Sequence, residues 1–289
     1  MDIPPRSNAG TQCRSVFITS PPLGINMVCY APHTSPRAFV ITIMLLLISM
    51  NGSIAYFHML PKTVPFIIAT VLGVLLAGAL FLREHAFAHA VLLTFLVAVW
   101  NLVADIAIWP FLIVPLIVYA LTAFSVPSLR RSVRWLAVGR FDKPVWLLMI
   151  STVFVSSVAL LAWFKAWHPD LTHYLKSIPS WHPAALVFEG IGFSLLNAAM
   201  EESMYRGVLM QALDTALGPG ISSIIYQAAA FGLLHIKGIP GDWIGVGMTC
   251  IYGLMLGVIR RRSGGILAPF ATHVFADVTI FIILVTLVR

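Results

Sequence analysis

Long apolar runs separated by short polar segments organise most of this 289-residue chain. A helix that crosses the hydrocarbon core of a bilayer needs about 20 apolar residues. Runs of about this length occur at 38–59, 63–82, 86–104, 108–124, 145–167, 184–200, 221–236, 243–259 and 264–288. Within 86–124, Asp105 and Pro110 mark either a turn between two helices or a kink in one. The pattern predicts an all-α fold, a polytopic transmembrane bundle of eight to nine helices.

The composition agrees with a chain that is embedded in lipid. Hydrophobic residues make up 59% of it and charged residues only 10%, whereas about a quarter of the residues of a soluble globular protein are charged. A soluble domain, a disordered chain, a coiled coil and a disulfide scaffold are therefore excluded. An outer-membrane barrel alternates polar and apolar residues and lacks long apolar runs, so we expect helices in a lipid bilayer.

Basic residues concentrate in two short loops. Segment 125–144 contains Arg130, Arg131, Arg134, Arg140 and Lys143, and a second cluster lies at 260–262. Because cytoplasmic loops are rich in Lys and Arg, both clusters are predicted to be cytoplasmic, which places the amino terminus there as well. The net charge of +7 is explained by these loops, so no nucleic-acid partner is expected. The short loops favour a bacterial inner (cytoplasmic) membrane protein.

The polar residues divide the chain into three predicted parts. Residues 1–37, rich in Pro and Ser, are interpreted as a flexible amino-terminal tail. Residues 38–144 comprise four accessory transmembrane helices, with few polar residues inside them, and the basic cytoplasmic loop. In residues 145–289, ionisable side chains occur within the apolar runs. Such groups are costly in a bilayer and are candidates for function, so the chemistry is expected in this third part.

Two adjacent glutamates and an arginine follow the apolar run 184–200. Arg206 lies four residues after Glu202, so on a helix the two share a face and can pair. Glu201 points about 100° away and is predicted to remain free. A free carboxylate in a desolvated site can act as a general base. The alternative is an ordinary Glu–Arg pair at a helix end at the membrane interface.

Two histidines and an aspartate lie on the following apolar runs. His235 ends the run 221–236, where a histidine is often an interfacial or hydrogen-bonded structural residue. His273 and Asp277 lie four residues apart inside the last run and therefore share a helix face. Without partners in the bundle they would cost several kcal/mol. Together with Glu201, they form a set on three helices that is capable of activating water.

These motifs, in this order, resemble those of the CPBP family, the CAAX proteases and bacteriocin-processing enzymes that are also called the Abi family. The motifs are EExxxR at Glu201, Glu202 and Arg206, FxxxH at Phe231 and His235, and HxxxN/D at His273 and Asp277. The Ala-Pro that precedes the last histidine also resembles the family's final motif. The resemblance covers roughly residues 145–289 and does not include the first four helices.

The resemblance implies a glutamic-type intramembrane endopeptidase, a peptide hydrolase that acts on a membrane-associated protein or peptide. By resemblance, Glu201 is the general base and His235 shares the hydrolytic water. His273 and the residue at 277 stabilise the oxyanion of the tetrahedral intermediate. The remaining motif residues, expected to support the site, are Glu202, Arg206 and Phe231.

Position 277 departs from the eukaryotic-type CAAX members, which carry Asn where this chain has Asp. An ionised Asp cannot donate a hydrogen bond to an oxyanion. Either Asp277 is protonated in its apolar setting, or it accepts a hydrogen bond and orients His273. We favour the second interpretation.

Two other functions remain open at this stage. Zinc accepts N and O ligands, so Glu201, His235, His273 and Asp277 could hold a metal; no HExxH helix is present, and no cofactor is the preferred expectation. A non-catalytic membrane protein, such as a transporter or an immunity factor, could also use this scaffold. The substrate is not defined, and for a bacterial protein a peptide leader or a carboxy-terminal sorting helix is preferred to a prenylated CAAX protein.

The boundaries of the apolar runs raise a geometric difficulty. They place Glu201 near the inner face of the membrane and His235 near the outer face. The two side chains can meet only if the helix that carries Glu201 is longer and offset, or if the 221–236 helix is tilted or begins deeper.

Overall fold

The computed structural model of the protein describes residues 12–13, 29–30, 63–104, 113–175 and 183–288. Most of the predicted tail 1–37 and the predicted span 38–59 lie outside the described residues. Two short strands, Gln12–Cys13 and Cys29–Tyr30, pair antiparallel, with Gln12 opposite Tyr30. The remainder of the described chain consists of helices and their connections.

The helices follow the predicted runs closely, which confirms the all-α class. They are α1 Thr63–Phe81, α2 His85–Ala104, α3 Ile113–Ser125, α4 Pro127–Arg130, α5 Lys143–Trp167, α6 Thr172–Leu175, α7 Pro183–Glu202, α8 Met210–Leu217, α9 Ile221–Leu234, α10 Asp242–Ser263 and α11 Leu267–Ile283. A π-helical segment, Ser203–Leu209, joins α7 to α8, a 3₁₀ turn, His235–Lys237, follows α9, and a second π-helical segment, Leu284–Val288, follows α11.

The largest difference from the predicted runs lies in the helix that carries the two glutamates. The apolar run stops at 200, but the helix continues through the π-helical segment and α8 to Leu217. The polar residues that end the apolar run do not end the helix, because they are buried and paired inside the bundle. Glu201 therefore lies near the middle of a long helix, and the expected separation from His235 does not arise.

The distribution of side chains is that of an integral membrane protein. Within the described residues, α5, α10 and the helix Leu267–Leu287 are long and apolar enough to cross a membrane. Large apolar side chains such as Leu147 and Phe154 on α5 are 68% and 67% exposed, while ionisable side chains are buried within the bundle. Apolar residues outside and polar residues inside are what a lipid environment selects.

Close packing of α9 against α10 forms one wall of the bundle. A Cβ atom placed on Gly257 would lie 2.6 Å from Gln227 Nε2, and one on Gly253 would lie 3.1 Å from Ala228 Cα. Small residues four apart let two helix backbones approach in this way. On the other side, α11 packs against α5 and α7, so the predicted site residues on α7, α9 and α11 face a common interior.

The accessory helices attach to this bundle through α2 and the basic loop. The buried His89 ring lies 2.9 Å from the Tyr119 hydroxyl through Nδ1 and 2.9 Å from Ser132 Oγ through Nε2. The loop then pairs with the turn before α11, where Ile266 N–H donates to Ala137 O at 2.8 Å. The α2 helix itself packs against α8 and the π-helical segment. The basic loop therefore connects the accessory helices to the helix of the two glutamates.

Candidate active site

A buried ion pair forms the base of the site. Arg206 Nη1 donates to Glu202 Oε1 at 2.9 Å, and their side chains are 0% and 1% exposed. This confirms the pair predicted from the four-residue spacing. It contradicts the alternative of an ordinary pair at a helix end at the membrane interface, because the pair is buried and the helix continues to Leu217. Arg206 also donates to Gly253 O at 3.4 Å, and its guanidinium lies 4.2 Å from the centroid of the Phe231 ring.

The π-helical segment Ser203–Leu209 leaves one carbonyl to be paired from another helix. Met210 N–H is directed to the carbonyl oxygens of Tyr205 and Gly207. In a regular α-helix its partner would be Arg206 O, which is therefore left without this bond. Arg260 of α10 supplies a donor instead, with Nε 3.3 Å from Arg206 O, and its Nη2 donates to Trp135 O at 3.3 Å. Local irregularities of this kind are frequent at functional sites.

His273 of α11 lies between the two adjacent glutamates. Its Nδ1 donates to Glu202 Oε1 at 2.8 Å, and its Nε2 is 3.5 Å from Glu201 Oε2 and 3.6 Å from Asp277 Oδ1. The angular separation of Glu201 and Glu202 on their helix lets them reach opposite edges of one imidazole ring. Glu202 is therefore the closest hydrogen-bond acceptor of His273, although the sequence predicted only Arg206 as its partner. Asp277, which was expected to orient His273, is a longer contact.

Asp277 has a partner that the sequence analysis missed. Asn197 Nδ2 donates to Asp277 Oδ2 at 3.1 Å. Asn197 precedes Glu201 by one helical turn, so the same spacing rule that paired Glu202 with Arg206 places it on the Glu201 face. The sequence did carry a signal for this contact, because Asn197 is a polar residue inside the apolar run 184–200.

Phe231 lies at the centre of the site and is fully buried. Its ring makes T-shaped contacts with His235 at 4.8 Å and with His273 at 5.8 Å between centroids. His235 Nδ1 donates to the Phe231 carbonyl at 3.0 Å, which leaves Nε2 as the proton acceptor of a neutral ring. Glu201 and His273 lie within electrostatic range of His235. Glu201, His273 and Asp277 thus meet directly, and His235 joins them across the Phe231 ring.

Tyr252 and Gln227 are further components that sequence reasoning missed. The Tyr252 ring makes a T-shaped contact with His273, with centroids 5.5 Å apart. Gln227 Nε2 donates at 2.8 Å to the Gly253 carbonyl, which also accepts from Arg206. Gln227 is a polar residue one turn before Phe231 and could have been noticed, but an aromatic residue inside an apolar run, such as Tyr252, carries no comparable signal.

The candidate site contains more acidic than basic side chains. Three carboxylates, those of Glu201, Glu202 and Asp277, face one arginine, so a proton shared with His273 or held by a carboxyl reduces the excess of negative charge. Glu201 Oε2 is buried and accepts no hydrogen bond among the described residues, although His273 Nε2 lies 3.5 Å away. At 13% exposure, the Glu201 side chain is also more accessible than the side chains of His273, Glu202 and Asp277. A carboxylate oxygen in this position can accept a proton from water.

Zinc is the alternative that the sequence left open for these residues. Among the described residues, no group of three or more His, Cys, Asp or Glu side chains is arranged to hold a metal ion. We therefore derive no step through a metal.

The comparison with protein families matches residues 183–279 to the family described as Type II CAAX prenyl endopeptidase Rce1-like. The predicted resemblance to the CAAX proteases is confirmed over this segment, which contains all three motifs and ends before the predicted limit at 289. Helix α5 and the accessory helices lie outside the match. No curated protein and no solved structure matches the chain. The matched segment is therefore similar to a family of CAAX-type peptide hydrolases.

Proposed function

We propose that this protein is an intramembrane endopeptidase that hydrolyses a peptide bond of a membrane-associated protein or peptide, with Glu201 as its general base. The observation that carries the proposal is the meeting of Glu201, Glu202 and Asp277 around His273, with separations of 2.8 to 3.6 Å, inside a bundle of apolar helices. Ionisable groups are retained in such surroundings chiefly for function. The match to a CAAX endopeptidase family supports this reaction class.

The reaction begins with activation of water. Glu201 accepts a proton from a water molecule, and the resulting hydroxide attacks the carbonyl carbon of the scissile peptide bond. His235 holds the same water through Nε2, the nitrogen that its hydrogen bond to the Phe231 carbonyl leaves available. When the tetrahedral intermediate collapses, the C–N bond breaks and Glu201 returns the proton to the leaving amine.

The intermediate requires hydrogen-bond donors for its oxyanion. When both ring nitrogens of His273 carry a proton, Nδ1 donates to Glu202 and Nε2 donates to the oxyanion beside Glu201. Asp277, which receives a hydrogen bond from Asn197, contributes by holding the His273 ring, since an ionised carboxylate cannot donate. Glu202 and Arg206 support this arrangement as a fixed ion pair.

The substrate is proposed to reach the site from the membrane. The resemblance implies three substrate classes: prenylated CAAX proteins, peptide leaders and carboxy-terminal sorting helices. We propose a bacterial inner-membrane location with a cytoplasmic amino terminus, on the basis of the basic loops, and in that setting a leader or a sorting helix is preferred.

The test compares membranes from cells that express the wild-type chain with membranes that contain Glu201→Gln. Mass spectrometry of new peptide termini identifies bonds that only the wild-type protein cleaves. Glu189→Gln is a matched control, because it makes the same change in charge on the same helix, 12 residues or about 18 Å away. We expect new termini with the wild type and the control but not with Glu201→Gln or His235→Ala.

Peptides that span a mapped site then provide the assay for purified protein. Loss of cleavage in Glu201→Gln, in protein that retains the thermal stability of the wild type, supports the proposal. Termini that are identical in wild-type and Glu201→Gln membranes contradict it and favour a non-catalytic membrane protein on the same scaffold.

A further inference from the structure

The hydroxyl of Tyr252 is a buried polar group whose role is not explained by packing. The Tyr252 ring contacts His273 at 5.5 Å and Phe231 at 6.4 Å between centroids. Its hydroxyl oxygen is buried and has no hydrogen-bond partner among the described residues. A buried hydroxyl without a partner costs about 1–3 kcal/mol. The ring contacts would be preserved by phenylalanine, which avoids this cost.

The surroundings of this hydroxyl are those of the proposed reaction. Asp277, Glu202, Glu201 and Arg206 all lie within electrostatic range of Tyr252. In the candidate site the carboxylates can only accept hydrogen bonds while they are ionised. Arg206 directs Nη1 to Glu202 and Nη2 to the Gly253 carbonyl, and its Nε has no partner among the described residues. A phenol in this position is a neutral donor that no described residue uses.

We propose that the Tyr252 hydroxyl donates a hydrogen bond to the oxyanion of the tetrahedral intermediate, together with His273 Nε2. The proposal rests on the endopeptidase function and identifies the second donor that such a site needs. It also accounts for Asp at position 277. Because Tyr252 supplies a donor from α10, the residue at 277 does not have to donate and can act as an acceptor.

No proton is transferred in this step. The O–H bond of Tyr252 remains intact while the carbonyl oxygen gains charge, and it continues to donate until the C–N bond breaks. The hydrogen bond is formed fully only in the transition state, so its loss lowers kcat rather than raising KM.

The test is the variant Tyr252→Phe, assayed with an internally quenched peptide that spans a cleavage site mapped in membranes. Removal of one oxyanion donor lowers kcat by roughly 10²- to 10³-fold, and we expect KM to change by less than about twofold, as for an interaction made only in the transition state. We expect the thermal stability of the variant to equal or exceed that of the wild type, because the unpaired hydroxyl is removed. Tyr226→Phe, on the exposed face of α9, is the matched control and should leave all three quantities unchanged.

Incorporation of 3-fluorotyrosine at position 252 provides a second measurement that preserves the packing. Fluorine makes the phenol a stronger hydrogen-bond donor to the developing oxyanion, so we expect kcat to rise by about twofold, whereas a structural role predicts no change. This measurement decides the question if the Tyr252→Phe protein does not fold.

The outcomes separate this inference from the function on which it rests. If Tyr252→Phe and the fluorotyrosine protein both retain the wild-type kcat while Glu201→Gln is inactive, the role of Tyr252 is wrong and the endopeptidase function stands. If Glu201→Gln cleaves as well as the wild type, the proposed function and the proposed role of Tyr252 are both wrong.

Discussion

Replacement of Arg206 by Met should show how much of the stability of the site depends on one buried cation. Methionine has a similar unbranched shape but carries no charge. The change removes the 2.9 Å pair with Glu202, the 3.4 Å hydrogen bond to Gly253 O and the contact with the Phe231 ring. It leaves Glu202 buried, with the imidazole of His273 as its remaining described partner.

The expected loss follows from this burial. Removing one member of a buried ion pair costs about 3–5 kcal/mol, because the other charge remains uncompensated. That loss lowers the folding equilibrium constant by a factor of roughly a hundred to several thousand. A second change, Glu202→Gln, removes the orphaned charge, so the double variant Glu202→Gln/Arg206→Met should recover at least about half of the lost stability.

The assay is a denaturant titration of the purified protein in detergent, followed by tryptophan fluorescence. Arg261→Met is the matched control, since the Arg261–Asp214 side chains are 32% and 26% exposed and loss of this partly solvated, bidentate pair should cost less than loss of the fully buried one. The reasoning is refuted if Arg206→Met destabilises the protein no more than Arg261→Met. It is also refuted if the double variant is less stable than Arg206→Met alone.

Four further outcomes are expected. Arg260→Met removes the donors to Arg206 O and Trp135 O and should lower the free energy of unfolding by about 1–3 kcal/mol; wild-type stability in the denaturant titration would contradict this. Asn197→Leu leaves Asp277 Oδ2 buried without its donor and should lower the free energy of unfolding by about 1–3 kcal/mol; wild-type stability in the same titration would contradict this. Gly257→Ala places a Cβ atom 2.6 Å from Gln227 Nε2 and should cost about 1–3 kcal/mol, while Gly247→Ala, with nothing within 4 Å, should be neutral or slightly stabilising. Treatment with EDTA or 1,10-phenanthroline should leave peptide cleavage unchanged, and a loss that added zinc restores would require the metal-dependent alternative.

The sequence predicted contacts within a helix far better than contacts between helices. Spacing was sufficient for the Glu202–Arg206 pair and for the shared face of His273 and Asp277, because the helical repeat fixes both. It could not show that His273 Nδ1 meets Glu202 across 71 positions of the chain, since periodicity defines a face and not the partner of that face. Tyr252 was missed for the same reason, as its importance comes from the neighbours that it contacts.

The sequence predicted the ends of a helix well where its side chains face lipid. It predicted them poorly where polar side chains are buried inside the protein. Hydropathy places α5 within a few residues because most of its side chains face outward. It stopped the run 184–200 too early, because Glu201 and Glu202 are polar but are accommodated by partners on other helices. A hydropathy profile measures the preference of a side chain for lipid, whereas these side chains are surrounded by protein.

The basic loop, which lies outside the family match, contacts the helix that carries the two glutamates. Trp135, in the basic loop, packs so closely on Gly207 that a Cβ atom there would lie 2.7 Å from the indole ring. Its carbonyl also accepts from Arg260, which in turn donates to Arg206 O. The loop therefore contacts both the π-helical segment and the arginine that supports that segment. Since Arg206 pairs with Glu202, and Glu202 accepts from His273, a continuous series of contacts joins the loop to the central imidazole.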